Sequence, residues 1–145
     1  MFILVKVIIL FLGGGIAIGE GTIIASNNEF RTLDHNWNSE DLKTLPFDDR
    51  VIAKPIKIGK NVWIGSHCLI LPGVEICDGA VIGSGSVLRQ SVPQCAVVVG
   101  NPATIIKYRN LEKYSLLENS SFMEKLYYEG RNTIKIEKYK KYMIE

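Results

Sequence analysis

An aliphatic residue recurs at every sixth position between residues 58 and 88 of this chain. The series is Ile58, Ile64, Ile70, Ile76, Ile82 and Leu88, and the fourth residue after each is small or medium-sized: Val62, Cys68, Val74, Ala80, Ser86 and Val92. A period of six fits neither an amphipathic helix nor an alternating strand, and it is typical of a β-helix built from hexapeptides. We therefore predict an all-β fold, a three-sided parallel β-helix with both series pointing inward. Gly59, Gly65 and Gly83 directly follow aliphatic positions, where we expect them to let the backbone turn.

The period is interrupted once, by residues 31–55. Upstream of them, Leu12, Ile18, Ile24 and Phe30 are spaced six apart. Residues 31–55 have no period and contain two prolines and many charges, so we predict a long excursion loop that leaves the β-helix and returns at Ile56. Long loops without regular structure are usually functional or disordered. His35, one of two histidines in the chain, lies in this loop and is the first candidate for chemistry.

The first twelve residues, MFILVKVIILFL, are almost continuously apolar. A transmembrane helix needs about 20 such residues, and the glycines at positions 13–15 do not resemble a signal-peptide cleavage site. We interpret the segment as strands of the first coil, with an interfacial membrane anchor as the alternative. On this interpretation we expect no membrane insertion and a cytoplasmic protein.

The composition changes near residue 107. All six tyrosines lie in residues 108–145, where Ser121 and Glu124 have the spacing of a capping box for a short helix ending at Gly130. We therefore predict two parts, a β-helix domain over residues 1–107 and a partly helical C-terminal tail over residues 108–145. A net charge of +2 is too small to indicate a nucleic-acid partner. Three cysteines without a CxxC motif favour a reduced, cytosolic protein.

The run PIKIGKNVWIGSHCLILPGVEICDGAVIGSGSVL, followed by VPQCAVVVGNPA, resembles the bacterial hexapeptide-repeat O-acetyltransferases of the galactoside, maltose and polysaccharide type. Residues 16–35, IAIGEGTIIASNNEFRTLDH, are similar to the coil that leads into the catalytic loop of that family. The resemblance implies a left-handed β-helix, an exception to the usual crossover rule. It also implies a homotrimer with an active site between each pair of neighbouring subunits, and acetyl-CoA in the groove there.

The resemblance assigns roles to individual residues. His35 matches the catalytic histidine, and imidazole suits the removal of a proton from an attacking hydroxyl near neutral pH. Trp63 matches a tryptophan that walls the acceptor and pantetheine site, and Ser66 lies where a backbone N–H could meet the oxyanion. Ser84 and Gly85 match the path of the pantetheine arm. Arg89 matches a basic residue for the nucleotide phosphates. Plain surface or interface roles remain alternatives for Trp63 and Arg89, and we interpret His67 as an interface or surface residue.

Two other classes of protein are alternatives to an acetyltransferase. The zinc carbonic anhydrases that share this type of fold need three histidines, and this chain has two. We therefore expect no metal site. A non-catalytic or shortened trimeric scaffold remains the alternative, because the chain has no Asn or Asp before Glu20 to bind an acceptor sugar. We predict an acetyl-CoA-dependent transferase acting on a hydroxyl of a sugar or polysaccharide precursor. A free sugar, a glycan and a xenobiotic alcohol all remain open as acceptors.

Overall fold

The computed structural model describes residues 13–118 and, for the backbone only, residues 3–5 and 8–10. The regular structure of these residues consists of short strands and one helix. In chain order the elements are β1 (Ile3–Val5), β2 (Ile8–Leu10), β3 (Ile16–Ile18), β4 (Thr22–Ile24), β5 (Glu29–Phe30), β6 (Leu33–His35), β7 (Val51–Ala53), β8 (Ile56–Ile58), β9 (Trp63–Ile64), β10 (Leu69–Ile70), β11 (Glu75–Ile76), β12 (Val81–Ile82), β13 (Val87–Leu88), β14 (Ala96–Gly100), β15 (Ala103–Tyr108) and α1 (Leu111–Glu118).

The chain winds through three parallel sheets in a fixed order, one strand in each sheet per coil. Strands β3, β8 and β11 form the first face, β4, β9, β12 and β14 the second, and β5, β10 and β13 the third. Equivalent residues of successive coils pair in register, as Ile58 does with Ile76. The predicted all-β, three-sided parallel architecture is therefore confirmed.

The core lies between the three faces and consists of the two predicted inward series. Every member of the series from Ile58 to Leu88, and of that from Val62 to Val92, is buried. Two inward positions hold hydroxyls that bridge adjacent coils. Thr22 Oγ1 donates to the Gly59 carbonyl oxygen at 2.8 Å and accepts from the Val62 N–H at 3.2 Å. Ser86 Oγ donates to the Gly83 carbonyl oxygen and accepts from the Gly100 N–H. Both buried hydroxyls are therefore satisfied.

The corners use left-handed backbone, but not at Gly59, Gly65 and Gly83, where the turns were predicted. Residues with positive φ recur six apart within each block, at Gly21, Asn27, Asn61, His67, Gly73, Gly79 and Gly85. The glycines that follow aliphatic positions have another role: a Cβ on Gly65 would lie 2.6 Å from the Ser84 nitrogen of the next coil. Glycine at position 65 therefore permits close packing of coils, and the backbone turns two residues later.

The N-terminal strands differ from the predicted first coil. They are strands, as expected, but β1 pairs antiparallel with β4 and β2 pairs antiparallel with β3. They therefore run opposite to the coils and extend the first and second faces at one end. The side chains of residues 1–12 lie outside the described part of the chain. The alternative of a membrane anchor concerns these same residues and stays a hypothesis. Within the described residues, no helix is long and apolar enough to cross a membrane.

The β-helix ends in an antiparallel hairpin. After β14, a turn with a cis peptide bond between Asn101 and Pro102 reverses the chain, and β15 pairs with β14. Contacts within the chain divide it at Leu111. Helix α1 lies in the tail that was predicted to be partly helical, upstream of the specific helix predicted from Ser121 to Gly130, which lies outside the described residues.

Candidate active site

Residues 31–55 leave the β-helix between the third and first faces and form an arm rather than a structureless loop. Strands β6 and β7 pair antiparallel, with Leu33 opposite Ala53 and His35 opposite Val51. Two backbone hydrogen bonds extend this ladder past His35, from the Asn36 N–H to the Arg50 carbonyl oxygen and from the Asp48 N–H to the Asn36 carbonyl oxygen, both at 3.2 Å. His35 therefore occupies the end of an ordered strand pair.

The imidazole of His35 is exposed on the arm and stacks on the ring of Phe47. The two ring centroids are 3.8 Å apart and the planes are inclined by 17°. The stack covers one face of the imidazole and leaves both ring nitrogens in its plane, at the ring edge. This arrangement is compatible with proton transfer, because a general base must reach a hydroxyl with a nitrogen lone pair.

A cluster of charged side chains, Asp41, Asp48 and Arg50, lies beyond His35 in the arm. Asp48 is almost completely buried and accepts hydrogen bonds from Asn36 Nδ2 at 2.8 Å and from Arg50 Nη2 at 2.6 Å. Arg50 also binds Asp41 through two nitrogens. Hydrogen bonds from Arg50 hold the pKa of Asp48 far below its ordinary value and also lower that of Asp41, while the pKa of Arg50 is raised chiefly by Asp48. All three groups are therefore charged over the pH range in which proteins function.

The residues predicted to bind the pantetheine arm lie at the corner between the second and third faces. Ser66 and Ser84 follow strands β9 and β12 in successive coils, and the Ser66 N–H donates to Ser84 Oγ at 3.2 Å. Gly85 has a φ of +75° and no atom within 4 Å of the position that a Cβ would take. Since Ser84 and Gly85 are both exposed, this corner offers an open, sterically permissive surface.

Trp63 lies on the outer side of the second face. It pairs in register with Ile23 in the coil before and Val81 in the coil after, and Val81 pairs with Val97. The Trp63 side chain is 51% exposed. The outer side of the first face is different, because it carries Ala17, Lys57 and Glu75 in register. The second face therefore has an apolar outer row and the first face a charged one.

Arg89 follows strand β13 at the corner between the third and first faces, where the arm also begins. Arg31 takes the equivalent position after β5, because Phe30, Ile70 and Leu88 pair in register. Both arginines are exposed, and Arg31 forms an ion pair with Glu29 at 3.1 Å. The two arginines thus occupy equivalent corner positions in different coils but have different neighbouring groups.

The predicted site residues lie in three places on one chain. His35 is on the arm that leaves the third–first corner, where Arg89 lies; Ser66, Ser84 and Gly85 are at the second–third corner, and Trp63 is on the second face. Within the described residues, no hydrogen bond or ring contact joins His35 to any of the other five. One chain by itself therefore does not bring the whole predicted site together.

The remaining reactive groups are placed differently. His67 is exposed and has a φ of +58°, with its Nε2 3.4 Å from Asn27 Nδ2. The Cys68 thiol is buried and donates toward the carbonyl oxygens of Gly65 and Gly83, and burial raises its pKa. Because a thiolate is the reactive form, this geometry does not favour Cys68 as a nucleophile. In residues 13–118 no three His, Cys, Asp or Glu side chains come together as metal ligands.

Sequence reasoning missed Phe47, Asn36, Asp48 and Arg50 as parts of the site. Their charges were visible in residues 31–55, but a stretch without periodicity does not reveal which charges pair. The one available signal was adjacency in sequence, since Asn36 directly follows His35.

Comparisons with known proteins agree with this geometry. Residues 55–90 match the model of the bacterial transferase hexapeptide, six repeats. Galactoside O-acetyltransferase of Escherichia coli (strain K12) is 38% identical over 95 residues, which cover 66% of this chain and 45% of that protein. A candidate lipopolysaccharide biosynthesis O-acetyl transferase of the same organism is 39% identical over 104 residues, covering 67% of this chain and 52% of that protein.

A solved structure of galactoside acetyltransferase in complex with coenzyme A superposes with a TM-score of 0.59 at 36% identity. The match covers 68% of this chain and 48% of that one. This chain therefore spans about half the length of the relatives that it matches. The comparisons show that it resembles hexapeptide-repeat O-acetyltransferases in both sequence and fold.

Proposed function

We propose that this chain, in which residues 55–90 are a bacterial transferase hexapeptide repeat, is an acetyl-CoA-dependent O-acetyltransferase acting on a hydroxyl of a sugar or polysaccharide precursor. The main observation is an exposed imidazole, His35, on an ordered arm that projects from this repeat. The relatives named for galactoside and lipopolysaccharide O-acetylation support a saccharide acceptor. The relative solved with coenzyme A supports the acyl donor.

The proposed reaction is a direct transfer. His35 takes the proton of the acceptor hydroxyl as its oxygen attacks the carbonyl carbon of the thioester. The C–S bond then breaks, and the leaving thiolate of CoA receives the proton from the imidazolium. General base catalysis of this kind contributes about 10²–10⁴-fold to the rate.

The developing oxyanion needs a donor, and we assign the Ser66 N–H to it. That N–H is bound to Ser84 Oγ at 3.2 Å, the long end of the range for N–H···O hydrogen bonds. A bond of this length is easily exchanged for a charged acceptor, which binds an N–H about twice as strongly as a neutral one does. Ser84 and Gly85 then contact the pantetheine arm, Trp63 walls the site, and Arg89 binds the nucleotide phosphates.

A homotrimer completes this proposal, with a left-handed winding of the coils within a domain of residues 1–107. In the apolar outer row of the second face, Trp63 is exposed and Ile23, Val81 and Val97 are half-buried. This row supports an interface there, because exposed apolar patches mark contacts between proteins. A neighbouring copy would place its own second–third corner near the arm that carries His35. We further propose that the enzyme is cytoplasmic and that residues 108–145 form a separate tail.

The test is an acceptor screen with the full chain. Release of the CoA thiol from acetyl-CoA is followed with galactosides, maltose, amino sugars and lipopolysaccharide-type glycans, and mass spectrometry identifies the acetylated product. We expect transfer to at least one saccharide and its loss in His35→Ala. If calorimetry detects no acetyl-CoA binding and no acceptor is acetylated, the chain is the trimeric scaffold instead.

A further inference from the structure

The ladder of the arm separates two sets of side chains. In an antiparallel pair, residues directly opposite each other lie on the same face of the sheet, and successive residues alternate between faces. His35 and Val51 are therefore on one face, and Asn36 and Arg50 follow on the other. The buried charged cluster thus lies behind the strand that presents the imidazole.

Asp48 is the centre of that cluster. Its carboxylate accepts from Asn36 Nδ2 at 2.8 Å, from the Arg50 N–H at 3.0 Å and from Arg50 Nε and Nη2 at 3.1 and 2.6 Å. The residue is only 3% exposed. A buried carboxylate without these donors would be strongly unfavourable, so the chain around Asp48 has one well-defined path.

The cluster acts on both partners of the ring stack through their sequence neighbours. Asn36 follows His35, and Asp48 follows Phe47. Two hydrogen bonds join these neighbours, from the Asp48 N–H to the Asn36 carbonyl oxygen and from Asn36 Nδ2 to the Asp48 carboxylate. Thr44 Oγ1 also donates to the Phe47 carbonyl oxygen at 2.9 Å. Hydrogen bonds therefore fix the backbone of the residue that follows each of the two stacked rings.

We propose that Phe47, Asp48 and Arg50 are positioning residues for His35. Asp48 and Arg50 fix the backbone of the arm, and Phe47 stacks on one face of the imidazole and so holds the plane of the ring. The inference rests on the proposed function for its catalytic consequence. The geometric part, that the charged pair maintains the ring stack, is independent of any activity.

Nuclear magnetic resonance tests the geometric part on the full chain. A phenyl ring stacked on an imidazole shifts the carbon-bound imidazole protons upfield through its ring current. We expect this upfield shift at His35 in the wild type and in Phe47→Tyr, and its loss in both Phe47→Leu and Arg50→Gln. His67 supplies an internal reference that none of these changes should move. An unshifted His35 in the wild type, or a shift that survives in Arg50→Gln, would overturn the proposal.

Steady-state kinetics test the catalytic part with the acceptor identified by the screen. A displacement of about 1 Å at a reacting group costs about 10²-fold in rate, so we expect Phe47→Leu and Arg50→Gln to lower kcat by about 10- to 100-fold. The KM for acetyl-CoA should stay unchanged, and Phe47→Tyr should restore kcat. Arg31→Gln, which removes an exposed ion pair outside the ladder, is the control for loss of a guanidinium.

The two proposals fail in different ways. A wild type without transferase activity contradicts the proposed function, while the ring-current result still decides the positioning of His35. A Phe47→Leu variant that melts like the wild type and keeps its kcat contradicts the positioning role but leaves the transferase intact. If Phe47→Leu does not fold, the comparison of Arg50→Gln with the wild type supplies the same measurement.

Discussion

His35 lies directly opposite Val51 across the ladder of the arm, so the two side chains share one face of the strand pair. Val51 is exposed, as is Phe47, against which His35 stacks. Two apolar residues therefore border the exposed imidazole, Phe47 against one face of the ring and Val51 opposite it in the ladder. In this arrangement a hydroxyl brought by a substrate is a suitable partner for the ring nitrogens.

His35→Ala should reduce acetyl transfer by about 10²–10⁴-fold, because it removes the general base. Binding of acetyl-CoA and the oligomeric state should be unchanged, as measured by calorimetry and sedimentation. The matched control is His67→Asn, which removes the other imidazole while Asn tolerates the left-handed backbone at this position. Turnover at the wild-type level in His35→Ala would refute the assignment.

Arg89→Ala should weaken acetyl-CoA binding without affecting acetyl-pantetheine, which lacks the nucleotide phosphates. A hydrogen bond to a charged group contributes about 1.5–3 kcal/mol, so the Kd for acetyl-CoA should rise by roughly 10- to 150-fold. Arg31→Ala is the control, since Arg31 occupies the equivalent corner position in another coil and is paired with Glu29. Equal losses for both ligands would show that Arg89 does not bind phosphate.

Trp63→Glu should dissociate the trimer. The substitution places a charge in the middle of the apolar row formed with Ile23, Val81 and Val97, and an unpaired charge buried in an interface is costly. Sedimentation should show a trimer for the wild type at micromolar concentration and monomers for the variant. Lys57→Gln, on the charged outer side of the first face, should leave the trimer intact. A monomeric wild type would contradict the proposed shared site.

Acid should open the arm only below pH 4. The folded pKa of Asp48 is lowered by its hydrogen bonds with Arg50, so its contribution to stability is complete above its ordinary value of 3.8 and disappears as the pH falls toward the folded value. Protection of the Asn36 amide against hydrogen exchange, relative to its intrinsic rate, should persist at pH 4 and decline below it. In Asp48→Asn that protection should already be reduced at pH 6. A wild-type arm that opens between pH 7 and 5 would contradict this assignment.

Thr22→Val should lower the free energy of unfolding by about 1–3 kcal/mol, because it leaves the Gly59 carbonyl oxygen and the Val62 N–H without their buried partner. Thr22→Ser keeps the hydroxyl and should lose less. Urea unfolding of both variants measures the difference. A Thr22→Val variant as stable as the wild type would show that the hydroxyl bridge between the coils is not needed.

The fold could be predicted closely where a period repeats. Each inward position of the hexapeptide is occupied six times with the same consequence, so even a polar member such as Ser86 was correctly placed in the core. The direction of the N-terminal strands could not be predicted, because the apolar segments Ile3–Val5 and Ile8–Leu10 are equally compatible with parallel and antiparallel pairing. The direction of pairing depends on which strand each segment meets in the folded chain, and the composition of the segment does not specify that strand.

The candidate site was predictable only in part, for a related reason. His35, Ser66 and Ser84 could be proposed as site residues from motifs, and the corner positions of the two serines follow from the period. The residues that position His35 come from a non-periodic segment. Antiparallel pairing brings the part of this segment that contains Phe47 and Arg50 back beside the strand of the histidine. Since no local pattern encodes that return, only the three-dimensional structure shows it.

The arm that carries His35 can vary independently of the β-helix coils, because it leaves and rejoins them at one place. Ile18 and Ile58 stack in adjacent coils although they are 40 residues apart, whereas Ile58 and Ile76 need 18 residues for the same step. The surplus of 22 residues lies in the arm, whose strand pair begins with Leu33 opposite Ala53. A chain shortened by that surplus would keep its hexapeptide register, so arms of other lengths and sequences can replace this one without repacking the core. The same coils can thus support a succession of different acceptor specificities in evolution or in the laboratory.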